Sequence, residues 1–507
     1  MNEPRIYTST EQRMRDRYQI GRRLFALPFS ERRALLMGLD LLSINGALLL
    51  ALALRPEYGL DWQQLIRHPL WFLILSALWL PLAHAFDAYD LRVASRFSTA
   101  ALAVLKAGLI TAVVYLLIPY LTPPLPPSRR FLFTFSLIVA ALPVVGRGLY
   151  TLALAQPLFR RRVLIIGAGW AGRTIAEALT EYGGGLYEIV GFADDDPAKL
   201  GKGVWESESG GEQEGKRAET PQSAIRNLQC AVLGNRHGLQ DLITRHNVTT
   251  LVLAITHEVN GELLQILMDS LELGVEIIPM PVLYEQLTGR VPVEHVGSNW
   301  YVAMPIWHPG TGTLYPLLKR LMDIVLASLG LFFLGLAFPL IAAAIYLDSP
   351  GPIFYTQERV GKGGRRFRIY KFRTMVPDAE QGKAVWATTN DPRVTRVGRF
   401  LRRAHIDEFP QFLNILKGEM SAVGPRPERP EFVEELVQEI PFYRVRHAVK
   451  PGMAGWALVK YGYASSKEDA LIRLQYDLYY IKHQSLWLDI VILLKTILDT
   501  ITLQGRA

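Results

Sequence analysis

Apolar runs of membrane length decide most of what this chain can become. Four of them lie near residues 34–54, 69–86, 99–121 and 131–154, each about long enough to cross a bilayer. The second is the weakest, because it carries His84 and ends at Asp87. Arginine placement sets the orientation. The first 33 residues hold eight arginines and no lysine, Arg92 and Arg96 lie between spans two and three, and Arg160, Arg161 and Arg162 follow span four. All three groups belong on the cytoplasmic side, although Arg129 and Arg130 pull the other way. The outer connection between spans three and four is the short, stiff Thr122–Pro127. Asp40, Lys106 and Arg147 fall inside the spans, nearer their cytoplasmic ends. An Asp40–Arg147 pair is conceivable, but snorkelling or packing is the expected role. A plain anchor is favoured over a transporter.

A fifth run, Ile324–Leu347, also has the hydropathy of a crossing helix. Its flanks disagree with a crossing. Lys319 and Arg320 precede it, and Arg359, Lys362, Arg365, Arg366 and Arg368 follow it. Positive charge on both sides predicts both ends on the cytoplasmic face. Pro339 sits two-thirds along and predicts a break, so the run reads as a re-entrant helix, with a kinked crossing helix as the alternative.

The 507 residues suffice for two or three domains. Half are apolar and the net charge is +8, which suits a membrane protein facing anionic lipid and phosphorylated substrates. No RNA- or DNA-binding motif is visible, so nucleic acid is not an expected partner. The lone Cys230 excludes an internal disulfide and a cysteine-rich zinc site, and reads as a small buried apolar residue. The fold class is therefore membrane α plus α/β. It comprises a basic tail (1–33), a four-helix transmembrane region (34–155), a Rossmann-like domain (160–283), a connector (284–316), a re-entrant helix (317–347) and a C-terminal α+β domain (348–507).

The Rossmann-like reading rests on the apolar strand Val163–Ala168, which runs into Gly167-Ala168-Gly169-Trp170-Ala171-Gly172 and then a helix to about Tyr182. A second strand, Tyr187–Ala193, ends at Asp194-Asp195-Asp196. Strand, glycine-rich turn, helix and acidic strand end form a dinucleotide-binding pattern. Gly167, Gly169, Gly172 and Asp194 are its candidate cofactor residues, for a dinucleotide or nucleotide. A Tyr-x-x-x-Lys pair does not follow it, so redox chemistry here is not expected. A structural or regulatory module is the other reading. Further strands are predicted at 228–233, 248–255 and 275–280. Residues 205–223, rich in Glu, Gly and Ser, read as a surface insertion.

In the last 160 residues, strands are predicted at Ile353–Gln357 and Phe367–Phe372, joined by the Gly361–Gly364 hairpin, and helices at Asp469–Ile481 and Leu486–Ile501. Lys371 and Arg373 alternate onto one strand face, where both could meet phosphate. Arginines 393, 396, 399, 402 and 403 follow at helical spacing, as a basic surface toward lipid. Asp407 and Glu408 open a short segment whose apolar period and Gly418 stop predict a helix. An acid at a helix start is commonly a cap. The same place, rich in free N–H groups, would also keep a carboxylate ionised for work as a nucleophile or metal ligand. Gly424-Pro425-Arg426-Pro427 then aims one guanidinium from a stiff backbone.

These residues resemble the bacterial sugar transferases that begin glycan assembly on undecaprenyl phosphate. The matching stretches are Phe338-Pro339-Leu340-Ile341, Ser349-Pro350-Gly351-Pro352-Ile353-Phe354, Tyr370–Met375, Asn390–Gly398, the Asp407-Glu408 segment, Gly424–Pro427, Lys450-Pro451-Gly452, Gly455-Trp456 and Tyr476–Tyr480. The spans and the Rossmann-like part resemble the large exopolysaccharide members. Phe338, Ala454 and Leu458 depart from common family choices.

The resemblance implies a monotopic phosphoglycosyl transferase that moves a hexose-1-phosphate from a UDP-hexose to undecaprenyl phosphate and releases UMP. Asp407 would be the nucleophile that becomes phospho-aspartate, Glu408 a ligand or positioner for Mg²⁺, and Pro339 the break of the re-entrant helix. Arg426, with Lys371 and Arg373, would hold phosphates. The implied setting is the bacterial inner membrane, multi-pass, with the catalytic domain on the cytoplasmic face, in contact with membrane lipid and associated as a homodimer. Two rival readings are a nucleotide-sugar oxidoreductase working through Gly167–Gly172 and a non-catalytic membrane regulator.

Overall fold

The computed structural model describes residues 29–54, 68–117, 129–153, 160–204, 231–255, 261–293, 314–377, 391–462 and 466–501. Most of the basic tail, the connection at 122–127, the insertion at 205–223, Cys230 and most of the connector lie outside them. The chain forms two compact units, 1–288 and 289–507.

The first unit begins with helices α1 (Phe29–Ala53), α2 (Pro69–Ala85), α3 (Phe97–Leu117) and α4 (Arg129–Ala153). Three of them, α1, α3 and α4, are long and apolar enough to cross a membrane; α2 has 17 residues. At 1.5 Å per residue α2 spans about 26 Å, short of a hydrocarbon core of about 30 Å. Small residues let α3 and α4 approach closely: a Cβ on Gly108 would lie 3.0 Å from the Ala140 backbone. Outer faces stay apolar and exposed, as at Leu42, Leu117 and Phe133.

Snorkelling is not what Asp40 and Arg147 do. Arg147 donates to Asp40 at 2.8 Å, and both side chains are almost completely buried. The Arg147 guanidinium also lies over the Tyr89 ring, whose hydroxyl accepts from Trp79 Nε1 at 3.1 Å. Charge inside the bundle is paired rather than drawn toward water, because neither side chain reaches the surface.

Five parallel strands follow: β1 (Arg161–Ile166), β2 (Tyr187–Ala193), β3 (Val232–Gly234), β4 (Thr250–Leu253) and β5 (Glu276–Pro279), in the order β3-β2-β1-β4-β5. This is the doubly wound order, with β1 central. Burial of β1 on both faces explains its continuous apolar run: Val163 and Ile165 join one core, Leu164 and Ile166 the other. Between β1 and α5 (Trp170–Tyr182), Gly167 adopts φ +104°, and a Cβ on Gly172 would stand 2.0 Å from the Gly167 carbonyl oxygen. Gly172→Ala is therefore expected to destabilise this unit by roughly 1–3 kcal/mol. Thermal unfolding of the purified variant checks this; an unchanged transition would contradict the tight turn.

The second unit is built on α9 (Leu314–Asp348), 35 residues long with Pro339 inside it. (The helices between, α6 Leu239–His246, α7 Gly261–Glu272 and α8 Met280–Thr288, flank the sheet of the first unit.) The sequence predicts an interruption at Pro339, whereas one continuous helix is found. The lost hydrogen bond is a local cost that the surrounding turns and packing absorb. The antiparallel hairpin β6 (Phe354–Val360) and β7 (Arg366–Phe372) pairs from Phe354–Phe372 to Val360–Arg366. Then come α10 (Arg396–Arg403), a 3-10 helix (Ile406–Gln411), α11 (Phe412–Lys417), β8 (Ser421–Val423), α12 (Pro430–Glu439), β9 (Gly452–Ala454), α13 (Trp456–Lys460), α14 (Lys467–Lys482) and α15 (Leu486–Ile501). β8 and β9 pair in parallel, with Gly452 so close that its Cβ would lie 2.0 Å from Gly424 N.

Candidate active site

Asp407 and Glu408 lie in the first turn of the 3-10 helix, whose preceding residue is His405 in a left-handed conformation (φ 56°). Asp407 is thus inside the turn and caps nothing among the described residues, contrary to the capping reading. Pro410 lies past the first turn of this short helix, two residues before α11 begins, so its missing N–H falls where one helix gives way to the next. Gly418 ends α11 with φ +83°, as the stop signal predicts.

Glu408 is buried and clamped by two cations. Lys371 Nζ donates to Oε1 at 2.7 Å, Arg426 donates to the same oxygen at 2.7 Å, and its other terminal nitrogen reaches Oε2 at 3.3 Å. Despite burial, the Arg426 and Lys371 charges hold the Glu408 carboxyl well below the usual carboxylate range. Asp407 differs sharply. It is buried and accepts no hydrogen bond among the described residues. Burial first, and the charge of Glu408 second, push it up to about 6, against the opposing pull of Lys371, Arg402 and Arg426. The sequence expects the helix start to hold Asp407 ionised. Its surroundings raise the pKa instead, because a turn this short contributes less than desolvation and a neighbouring anion, but only to about 6, so Asp407 stays largely ionised at neutral pH.

Arg426 and Lys371 are brought to the pair; Arg373 is not. It follows the last residue of β7, and its guanidinium caps the end of α9 by donating to the Ser349 and Pro350 carbonyls. Residues that the sequence reading did not single out hold the cations in place. Asn414, fully buried, accepts from Tyr370 N and donates to the Arg368 carbonyl at 2.8 Å, which locks α11 to β7 beside Lys371. Arg446 donates to the Arg426 carbonyl at 3.0 Å and pairs with buried Asp477 at 2.8 Å. Arg359 donates to the Pro427 carbonyl at 3.3 Å. The only sequence signal for Asn414 is a polar residue within an apolar period.

Glu408 does not fit a metal ligand as the family resemblance implies, because three cationic N–H groups already occupy its oxygens. Among the described residues, no group of three or more His, Cys, Asp or Glu could hold a metal ion.

In the first unit, a cleft of ≈ 530 Å³ opens at the carboxyl ends of the strands, lined by Gly167, Gly169, Trp170, Asp194, Lys199 and Arg236 among others. Gly169 precedes α5 in extended backbone with no side-chain cap. Asp194 is already engaged: Oδ2 accepts from Ala168 N at 2.7 Å, Oδ1 from Asp196 N at 3.0 Å, and Lys199 pairs with it at 3.2 Å. It braces the glycine-rich turn.

Two family models match the sequence: "Bacterial sugar transferase" over residues 314–503 and "CoA-binding domain" over residues 84–281. Among similar proteins, the UDP-N-acetylgalactosamine-undecaprenyl-phosphate N-acetylgalactosaminephosphotransferase of Aeromonas hydrophila is 47% identical over 218 residues, 43% of this chain and 50% of that protein. The UDP-glucose:undecaprenyl-phosphate glucose-1-phosphate transferase of Escherichia coli (strain K12) is 42% identical over 201 residues, 39% of this chain and 43% of that protein. The chain thus spans half or less of the length of these two relatives. The exopolysaccharide production protein PSS of Rhizobium leguminosarum bv. phaseoli is 40% identical over 194 residues, 36% of this chain but 96% of that protein. Since the chain covers nearly all of that shorter relative, and the region matched by the family model holds Asp407, Glu408, Lys371 and Arg426, the chain belongs to the bacterial sugar transferase family.

Proposed function

We propose that the chain transfers a hexose-1-phosphate from a UDP-hexose to undecaprenyl phosphate, starting exopolysaccharide assembly. The observation that carries this is the division of labour in the carboxylate pair: Glu408 is clamped by two cations, while Asp407 accepts no hydrogen bond among the described residues. An Asp407 oxygen attacks the phosphorus that bears the sugar. A P–O bond to Asp407 forms, the P–O–P bond breaks, and its electron pair leaves on UMP. An oxygen of undecaprenyl phosphate then attacks the same phosphorus, and the Asp407 carboxylate leaves. Lys371 and Arg426 stand beside Asp407 to offset the charge that gathers on the phosphoryl oxygens. A carboxylate nucleophile lets a soluble donor and a lipid acceptor use one site in turn. Mg²⁺ would arrive with the donor diphosphate, since it commonly binds through substrate phosphates and water; no step here is routed through it.

The helix α9 supports a re-entrant reading. At 35 residues it is about 50 Å long, against a hydrocarbon core of about 30 Å. Yet contacts with the same unit run along it: Lys319 bonds Asp489, Asp323 accepts from Ala422 N, Ala327 and Leu334 pack in that unit's cores, and Asp348 accepts from Val397 N. Its other face, including Phe332, Leu336, Leu340 and Leu347, is exposed and apolar. Both ends then belong on one side of the bilayer, the cytoplasmic face of the inner membrane, with the acceptor phosphate at headgroup depth. The α1–α4 bundle is the multi-pass anchor. The cleft beside Gly167 would take a nucleotide in an accessory role, and association as a homodimer is proposed from the resemblance to the extended members. Light scattering in nanodiscs checks the association.

The test is UMP release across a panel of UDP-sugars, with undecaprenyl phosphate and Mg²⁺. No release with any of them would overturn the reading. The pH dependence is a second check. Asp407 must be ionised to attack, so the rate should be flat above its pKa of about 6 and fall about tenfold per pH unit below it. A flat profile extending about two units lower would exclude Asp407 as the titrating nucleophile.

A further inference from the structure

A second group of cations in the C-terminal unit makes no ion pair with a carboxylate among the described residues. Arg320 on α9 donates from its two terminal nitrogens to the carbonyls of Ile415 and Leu416, each at 2.7 Å. Lys450, half-buried just before β9, makes no hydrogen bond or ion pair among the described residues. The two meet at Gly418. A Cβ built there would lie 3.5 Å from Lys450 Nζ and 3.7 Å from an Arg320 nitrogen. Lys362, exposed on the turn between β6 and β7, adds a smaller charge that acts on Lys450.

Nearby acids are already engaged. Asp323 Oδ1 accepts from Ser421 Oγ at 2.9 Å and from Ala422 N at 2.8 Å, and Asp489 holds Lys319. Burial first, then the charge of Arg320, lower the Lys450 pKa; Asp323 opposes this, while Lys362 and Lys319 add to it. An ammonium kept among like charges is unfavourable unless an anion completes the group. The neighbouring surface says which kind of anion. Leu314, Leu317 and Leu321, around Arg320 on α9, are all exposed and apolar. Cations beside an acyl-chain surface match an anionic lipid headgroup at the interface.

We propose that Arg320, Lys362 and Lys450 form a second anion site, which takes the headgroup phosphate of an anionic phospholipid. This lipid is bound and not consumed, and the site is separate from the Lys371–Arg426 cluster. Binding there would fix the depth of the unit against the bilayer.

Native mass spectrometry of the full chain in detergent tests this, with phosphatidylglycerol, phosphatidylcholine or inorganic phosphate added. Phosphatidylglycerol should be retained in preference to phosphatidylcholine. Lys362→Glu with Lys450→Glu should weaken retention roughly tenfold or more. Lys362→Glu alone, on an exposed turn where folding is not at stake, should weaken it measurably. Equal retention of the two lipids, or retention unchanged in both variants, would overturn the site. Displacement of phosphatidylglycerol by inorganic phosphate at comparable concentration would overturn the lipid as its ligand. None of these readouts depends on sugar-phosphate transfer, so failure of that activity would leave them intact.

Discussion

Asp407→Asn is expected to reduce transfer of labelled sugar phosphate to lipid by about 10³-fold or more, with the fold preserved. The amide has the shape of the acid but not its nucleophilic oxygen. No hydrogen bond to Asp407 is lost among the described residues, so little structure depends on its charge. Burial of a neutral amide should even be easier than burial of a carboxylate, because desolvation is what raises the Asp407 pKa. Thermal unfolding should therefore match the parent chain while transfer disappears. Activity within about tenfold of the parent would sink the nucleophile assignment. Trapping of labelled sugar phosphate on the parent chain, and its absence from the variant, would separate loss of attack from loss of donor binding.

Glu408→Gln should act differently, in two ways that can be measured apart. It removes the negative charge that two cations share and turns one acceptor oxygen into a donor, leaving Lys371 and Arg426 uncompensated, which is expected to cost about 3–5 kcal/mol of stability. Loss of the anchored Arg426 should slow transfer roughly a hundredfold. The second effect is on pH. The negative charge of Glu408 raises the Asp407 pKa, so removing it lets that pKa fall from about 6. The acid limb of the rate profile should then move to lower pH. A role for Glu408 as metal ligand predicts instead an unmoved limb and a raised Mg²⁺ requirement. That pair of outcomes decides between positioning and metal binding.

The parts of the chain that were legible in advance are those where one physical term dominates. Membrane-length helices follow from apolar run length, and the α5 turn follows from a strand meeting closely spaced glycines. The hairpin of β6 and β7 and the helices α14 and α15 fell near their expected places for the same reason. What could not be read was the state of the site, because it depends on chain segments far apart. Lys371 lies 37 residues before Glu408 and Arg426 lies 18 after it. Strand alternation makes Lys371 and Arg373 look equivalent, but β7 ends at Phe372, and Arg373 turns away to cap α9. The roles within the carboxylate pair, with Glu408 clamped and Asp407 left without a partner, are likewise set by tertiary neighbours. The Asp40–Arg147 pair was conceivable from depth alone, yet only the packing of α1 against α4 brings the two within bonding distance.

The bonds along α9 also carry a timetable. Lys319 finds its carboxylate on Asp489, 170 residues later in the chain, and Arg320 finds its carbonyls about a hundred residues later. When this helix leaves the ribosome, none of its polar partners has yet been made. It must wait at the bilayer as an apolar rod with unsatisfied cations at its head, and α15 delivers Asp489 last. The partners of the helix therefore arrive in chain order, those of Asp348, Arg320 and Asp323 before that of Lys319, and a nascent chain halted before Leu486 would hold the helix by its earlier bonds but lack the carboxylate that pairs with Lys319.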